Sequence, residues 1–365
     1  MSATSFGVND ALAVKLWSKI LAVAERDSLE IAPLMGDDDN AIIHVKDETE
    51  LGQGDRVTFS LRARGTQKGF TEGQTAEGNA ESLTFFSDNI LINELGCNFG
   101  ARSQNTIDQQ RIPFELREQC KNTASDWWKD RKAAVFFNQV CGFTPANTES
   151  ATSGIVYTGH NAVTAPVGTS ALVRQIWAGS AANDQGLTAS DTYTLSLIDI
   201  AVQNARLGNR MIRPVTVGGQ NKHVIYLHEG QVTQLRTNTS TGQWQDVTKF
   251  AYSGVDVSKN PIYTGALGEY NNCVLRRSQD VTQGVNSSTG AAVANTRRAV
   301  LLGAQSGCCA FGKKNYGPNK YRWNEELLDH KRLLEVSAWS IWGMKKAVFN
   351  VVDHGAQVIS TYSAV

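Results

Sequence analysis

Side chains capable of chemistry are present in this sequence, but their spacing does not gather them. The six histidines stand at 44, 160, 223, 228, 330 and 354, and none forms an HExxH or other short metal-ligand motif. His223 and His228 lie five apart on an expected strand, which points them to opposite faces and makes them structural histidines. No GxSxG elbow is present. Gly307-Cys308-Cys309-Ala310-Phe311-Gly312-Lys313-Lys314 has the glycines and lysine of a phosphate-cradling loop. Lys314, however, stands where the Ser or Thr that holds magnesium belongs. Asn315-Tyr316-Gly317-Pro318 cannot open the helix whose N-terminus would bind phosphate. The segment therefore reads as a tight basic turn. The vicinal Cys308-Cys309 pair is too cramped for an ordinary disulfide. Asp37-Asp38-Asp39 lacks the spacing and the distal glutamate of a calcium loop and reads as a solvated turn. No catalytic residue, cofactor or metal is expected.

Basic residues come in pairs, Arg276-Arg277, Arg297-Arg298, Lys313-Lys314 and Lys345-Lys346, without interleaved aromatics. Non-specific contact with nucleic acid is compatible with this pattern, but base readout is not. Lys plus Arg and Asp plus Glu both number 35, so the formal net charge is zero, against a generic basic nucleic-acid binder. The charge is nevertheless uneven. Residues 1–50 hold 4 basic and 10 acidic residues, and residues 142–320 hold 15 basic and 9 acidic. An acidic N-terminal arm would seek a basic surface, on a neighbouring copy for example. The charged fraction is only 19%, as in a chain that hides much of its surface against partners. The six scattered cysteines read as reduced thiols. No secretory signal and no apolar run long enough for a membrane span is visible.

The elements that would position these residues are clearer. Leu12, Leu16, Ile20 and Val23, beside Trp17, Leu21 and Ala24, predict a first helix with an unusually wide apolar arc. Residues 55–64 alternate strictly, with Val57, Phe59, Leu61 and Ala63 on one side, and predict a half-buried strand. Leu83 to Leu95 reads as its partner. Between them, residues 65–82 form a polar, glycine-spaced loop of a length that tends to be functional. Such an isolated hairpin needs something to lie on. Residues 113–141 predict one long helix, with Pro113 at its first turn and Gly142 as its stop. Leu116, Cys120, Ala124, Trp127, Ala134, Phe137 and Cys141 are expected on one face, and Trp128 and Val135 on its shoulder. Residues 193–207 predict a helix; Lys222–Leu227, Arg298–Leu302 and Val358–Tyr362 predict strands.

Several segments together carry a resemblance to a known family. They are Gly54-Asp55-Arg56-Val57-Thr58-Phe59, Glu77-Gly78-Asn79-Ala80-Glu81 leading to Phe85-Phe86-Ser87-Asp88, the stretch from Gln109 to Gly142 with its paired tryptophans, Asn260 to Asn272, Leu301 to Ser306, and the run from Tyr321 to Asn350. They resemble major capsid proteins of tailed bacteriophages, in the group related to the podovirus coat protein. The resemblance implies an α+β Hong Kong ninety-seven-like (Johnson) capsid fold. Residues 1–50 would be the N-terminal arm and 51–95 the extended hairpin loop. Residues 96–142 and 321–365 would form the peripheral domain, including the spine helix 113–141. Residues 143–320 would be the axial domain with some peripheral strands. It further implies self-assembly as hexamers and pentamers into an icosahedral head around DNA. Implied partners are a separate scaffolding protein, since no N-terminal scaffold segment is visible, a portal and a cement protein. Packaged DNA would be touched non-specifically, and no membrane is involved. The chain would reside in the virion, after assembly in the host cytoplasm. Trp17, Leu21, Lys68, Phe70 and Glu72 are the expected intersubunit contacts. An encapsulin-like compartment shares the fold and is the alternative. A nucleotide-binding enzyme would need a ligand at Gly307–Lys314.

Overall fold

The computed structural model describes residues 21, 30–46, 55–63, 65–102, 106–143, 159–169, 172–207, 211–217, 219–240, 268–312 and 320–364. Trp17 and most of the expected first helix lie outside the described residues, as do Lys313 and Lys314. Few helices and many strands make it an α+β fold.

The long helix spans Leu116–Cys141. It starts three residues after Pro113 because the Gln109 side chain caps the chain there. Its Oε1 accepts from the Leu116 amide at 3.1 Å and its Nε2 donates to the Phe114 carbonyl at 2.7 Å. Ile112, ahead of Pro113, is extended, as the proline ring requires. The helix stops at Gly142, whose φ of 70° places it in the left-handed region. A Cβ there would sit 2.7 Å from Pro166 Cδ, so glycine is required twice over.

The expected single apolar face gives way to burial all round: every residue from Lys132 to Phe143 is buried. The cause is a sandwich, because this half of the helix packs against strands of both large sheets. Trp128, expected on the shoulder, is fully buried and meets Tyr321 and Trp342 edge-on at 5.2 and 6.2 Å, while Trp127 is half-buried.

The seven-stranded sheet runs in the order Gln175–Trp177, Ala356–Tyr362, Thr296–Leu302, Gln220–Leu227, Cys273–Arg277 and Glu269–Tyr270, with Val215–Val217 also paired to Gln220–Leu227. The strand Thr296–Leu302 lies at its centre, and alternation divides its side chains. Val300 and Leu302 join the core around the long helix; Ala299 and Leu301 join a second core with Ile198, Ala201 and Val202 of the helix Leu195–Arg206. The C-terminal strand Ala356–Tyr362 pairs along its whole length with Thr296–Leu302. Sheet membership thus does not follow the expected boundary at residue 321.

The six-stranded sheet is built on the strand Leu333–Lys346. It pairs with Asn93–Arg102 on one side and with Arg322–Leu328 and Gly307–Phe311 on the other. Ile43–Lys46 and Met35–Gly36 extend it beyond Gly307–Phe311. One face packs on the long helix through Cys309, Val336, Ala338, Trp342 and Met344. The other carries a third cluster, with Cys308 and Ala310 against Val57, Phe59, Ile90 and Ile92. The single strand expected over Leu83–Leu95 is in fact two. Phe85–Leu91 pairs with Arg56–Arg62 as a hairpin, and Asn93–Arg102 crosses to the six-stranded sheet. The switch occurs at Ile92, whose amide donates to the Asp55 carbonyl at 2.8 Å.

Candidate assembly surfaces

The hairpin is anchored at one end and bare at the other. At its base, Val57 and Phe59 from one strand and Ile90 from the other face Cys308, Ala310, Ala347 and Phe349. The Lys345 ammonium meets Asp88 at 2.5 Å, and the second Asp88 oxygen accepts from the Val348 amide at 3.1 Å. Lys46 donates to the Thr58 carbonyl at 3.3 Å and lies 5.0 Å above the Phe59 ring. Beyond Leu61 and Phe86 this support ends. Every residue from Gly65 to Phe85 is exposed, and among them Phe70 is 42%, Leu83 70% and Phe85 61% accessible.

The tip holds its shape by hydrogen bonds rather than by packing. The Glu81 carboxylate accepts from the Thr66 amide at 2.8 Å, the Thr66 hydroxyl at 2.8 Å and the Gln67 amide at 2.8 Å. These donors, the Thr66 amide first, hold its pKa below the ordinary carboxylate value. Gln67 Nε2 donates to the Asn79 carbonyl at 2.9 Å, and Asn79 Nδ2 to the Thr75 carbonyl at 2.9 Å. The folded tip encloses a concavity of about 400 Å³ whose lining includes Ala63, Phe70, Ala76, Ala80 and Leu83. Lys68, Phe70 and Glu72 are all exposed on this tip.

A second feature projects beside the hairpin base. The strands Val348–Phe349 and Val352–Asp353 pair across a two-residue turn. Asn350 and Val351 there have φ of 50° and 62°, the type I′ arrangement. Asparagine tolerates that backbone, but a β-branched residue in it costs on the order of 1–3 kcal/mol. Val351 is nonetheless 76% exposed.

Other expected surface groups turn inward. Leu21 is fully buried in the core around the long helix, so its apolar side chain is satisfied within its own chain instead of facing a neighbour. The acidic turn is also tied to its own chain. Gln305 Nε2 donates to Asp39 Oδ1 at 2.9 Å, Arg213 donates to the Asp39 carbonyl, and Asn40 exchanges two 2.9 Å hydrogen bonds with the Thr216 backbone. Glu30, just before it, accepts from the Ser278 hydroxyl at 2.9 Å, and burial raises its pKa.

Three of the paired cations are consumed as well. Lys345 holds Asp88, as above. Arg298 is buried, meets Asp184 at 2.6 Å and donates to the Cys141 carbonyl at 2.7 Å. A cation thus sits at the C-terminal, negative end of the long helix and ties it to the seven-stranded sheet. Lys346 is buried against Asp353 at 2.9 Å and also donates to the carbonyls of Thr164 and Ala165. Burial is the largest influence on this pair, lowering the lysine pKa and raising that of the aspartate. Sequence reasoning treated these cations as surface groups. Their one signal was position, since each sits inside a strand-forming run.

The remaining chemical candidates resolve structurally. Gly307–Phe311 is an extended strand paired on both sides rather than the expected turn, so it offers no amide cradle for phosphate. Its neighbouring thiols point to opposite faces and into different clusters, and burial pushes Cys308 well above the ordinary thiol value. His223 is buried near the Ile212 carbonyl, 3.3 Å away. His228 lies beyond the strand, not on it. It is the N-cap of the helix Glu229–Thr237, accepting from the Gly230 amide at 3.2 Å. Burial lowers its pKa to about 4. Among the described residues no helix is long and apolar enough to cross a membrane, and no group of three His, Cys, Asp or Glu is placed to hold a metal.

Comparison with known proteins gives one consistent picture. The sequence pattern of a family described as phage capsid protein matches residues 5–365. Curated protein sequences give no match. Among solved structures, the chain is similar to the capsid of Ralstonia phage GP4, with 27% identity, a TM-score of 0.76 and coverage of 100% of this chain and 99% of that one. It shares its fold with the capsid of cyanophage Pam1, at 17% identity, TM-score 0.70 and coverage of 100% and 95%. The same holds for the capsid of Helicobacter pylori bacteriophage KHP30, at 14% identity, TM-score 0.64 and coverage of 92% and 91%.

Proposed function

The chain belongs to the phage capsid protein family, and from that premise we propose how it builds its shell. It is a phage major capsid protein with the Hong Kong ninety-seven-like fold: a structural protein of the virion capsid that assembles with itself. The encapsulin-like alternative is not favoured by these relatives. In our reading, copies associate as hexamers and pentamers that close an icosahedral head around DNA, through heterologous contacts around each ring. Residues 1–50 act as the arm and 51–95 as the extended loop. Residues 96–142 and 321–365, with the spine helix, act as the peripheral domain, and 143–320 as the axial domain with some peripheral strands. Assembly takes place in the host cytoplasm with a separate scaffolding protein, a portal and a cement protein. Packaged DNA is touched non-specifically, and the chain catalyses no reaction.

One observation carries this reading: a hairpin tip from Gly65 to Phe85 that, among the described residues, exposes three large apolar side chains to solvent. A surface of that kind marks an interaction site. We assign Lys68, Phe70 and Glu72 to contact with a neighbouring subunit, and Trp17 of the arm to a second such contact. Leu21 instead anchors the arm to its own core. Sedimentation velocity of the purified chain over a concentration series tests the reading. Ring-sized or shell-sized species that grow with concentration support it, and a monomer at every concentration, with the scaffolding protein added as well as without it, contradicts self-assembly.

A further inference from the structure

The turn at Asn350–Val351 has a geometry that its sequence resists. A two-residue hairpin with both residues left-handed is the place for Asn-Gly. Asn350 conforms and Val351 does not. The misfit gains nothing inside the chain, because Val351 is among the most exposed apolar residues described. Flanking contacts over-determine the turn. Phe349 is packed in the cluster at the hairpin base and lies edge-on to His354 at 5.4 Å, and the Val348 amide is held by Asp88. Strain that surroundings enforce, at a side chain that projects into solvent, directs attention to something outside the chain.

The same hairpin that braces this turn bears a concavity at its other end, where Phe70, Ala80 and Leu83 offer apolar surface beside the polar Gln67, Glu81 and Thr84. Five extended residues, about 17 Å of strand, separate Asp88 from Leu83 on its rim. Val351 does not fill the concavity of its own chain, being open to solvent. A projection and a recess at separate places on one chain pair heterologously, copy to copy, which is the arrangement that closes rings.

We propose that Val351 is a contact knob that seats in the loop-tip concavity of a neighbouring copy. The inference rests on the shell-forming reading above and names the partner surface for the hairpin tip. Val351→Gly and Val351→Asn both relax the backbone and remove the knob. The unassembled variants should melt no lower than wild type. The concentration at which particles form should rise roughly tenfold or more, the effect of losing one buried valine per contact. Val351→Ile keeps the knob and should assemble. A second measurement locates the seat: Val351→Cys combined with Ala80→Cys should give disulfide-linked multimers on oxidation of assembled particles. The six native cysteines are all buried and add little background.

Val351→Gly or Val351→Asn chains that assemble as wild type does would overturn the knob. Assembled particles in which the two introduced cysteines do not link would overturn its seat. If the wild-type chain itself never assembles, the underlying reading fails first, and the two failures are told apart.

Discussion

The C-terminal half of the spine helix and the hairpin tip are opposite answers to the same problem. From Lys132 to Phe143 every residue is buried, between two sheets of the same chain. From Gly65 to Phe85 every residue is exposed, although Phe70, Leu83 and Phe85 are as apolar as anything the helix buries. Burial of large apolar side chains contributes about 1.5–3 kcal/mol each. The helix collects that contribution when the chain folds. The tip, among the described residues, leaves its three large apolar side chains exposed. Polar groups follow the same division. Around the helix they are buried ion pairs such as Arg298 with Asp184. At the tip they are exposed hydrogen bonds around Glu81, which join one side of the tip to the other.

This comparison can be broken at either end. The largest effect is expected at Arg298→Ala, which leaves Asp184 buried without its cation and the helix C-terminus without its donor. The unassembled chain should lose about 3–5 kcal/mol of stability, read by denaturant unfolding. A loss below 1 kcal/mol would mean that the ion pair is not part of what holds the helix to its sheet.

A smaller effect is expected from pH at His228. Its pKa is lowered in the folded chain to about 4, burial being the largest cause. Between that value and the ordinary histidine value the unfolded chain binds the proton and the folded chain does not. Stability therefore falls as pH drops through this window, from about 6.5 downward. His228→Asn keeps a capping side chain and removes the titration, so it should flatten that part of the pH profile. An unchanged profile would assign the dependence to other groups.

The smallest effect on folding is expected at the tip. Leu83→Ser should change the stability of the unassembled chain by no more than about 0.5 kcal/mol, as for other surface substitutions, yet raise the concentration needed for assembly. If stability and assembly fall together, the tip is part of the chain's own core after all.

Much of this division was legible in the residues. The alternation of Val57, Phe59 and Leu61 announced the hairpin, and the glycine-spaced polar loop announced a tip without a core. Gly142 announced the end of the helix. The start of the helix was less clear, because Gln109, seven residues before Leu116, supplies the cap from a distance that local patterns do not weigh. The change of sheet at Ile92 left only a local mark: the apolar positions move from Ile90 and Ile92 to Leu95, Cys97 and Phe99, a break in phase that a single-strand reading of Leu83–Leu95 passes over. Arg298, Lys345 and Lys346 read as surface cations because their partners Asp184, Asp88 and Asp353 are identified only by the tertiary fold. Of the residues expected at intersubunit contacts, Lys68, Phe70 and Glu72 are exposed and Leu21 is buried in the core, and the exposed Val351 had no sequence signal other than its place after Asn350.

The central claim is that the tip is completed by another copy while the helix is complete by itself. Hydrogen–deuterium exchange on the unassembled chain and on assembled particles tests it most directly. The account predicts slow exchange from Lys132 to Cys141 in both states, and exchange from Gly65 to Phe85 that is fast in the free chain and slow in the particle. Fast exchange at the tip in both states would contradict it.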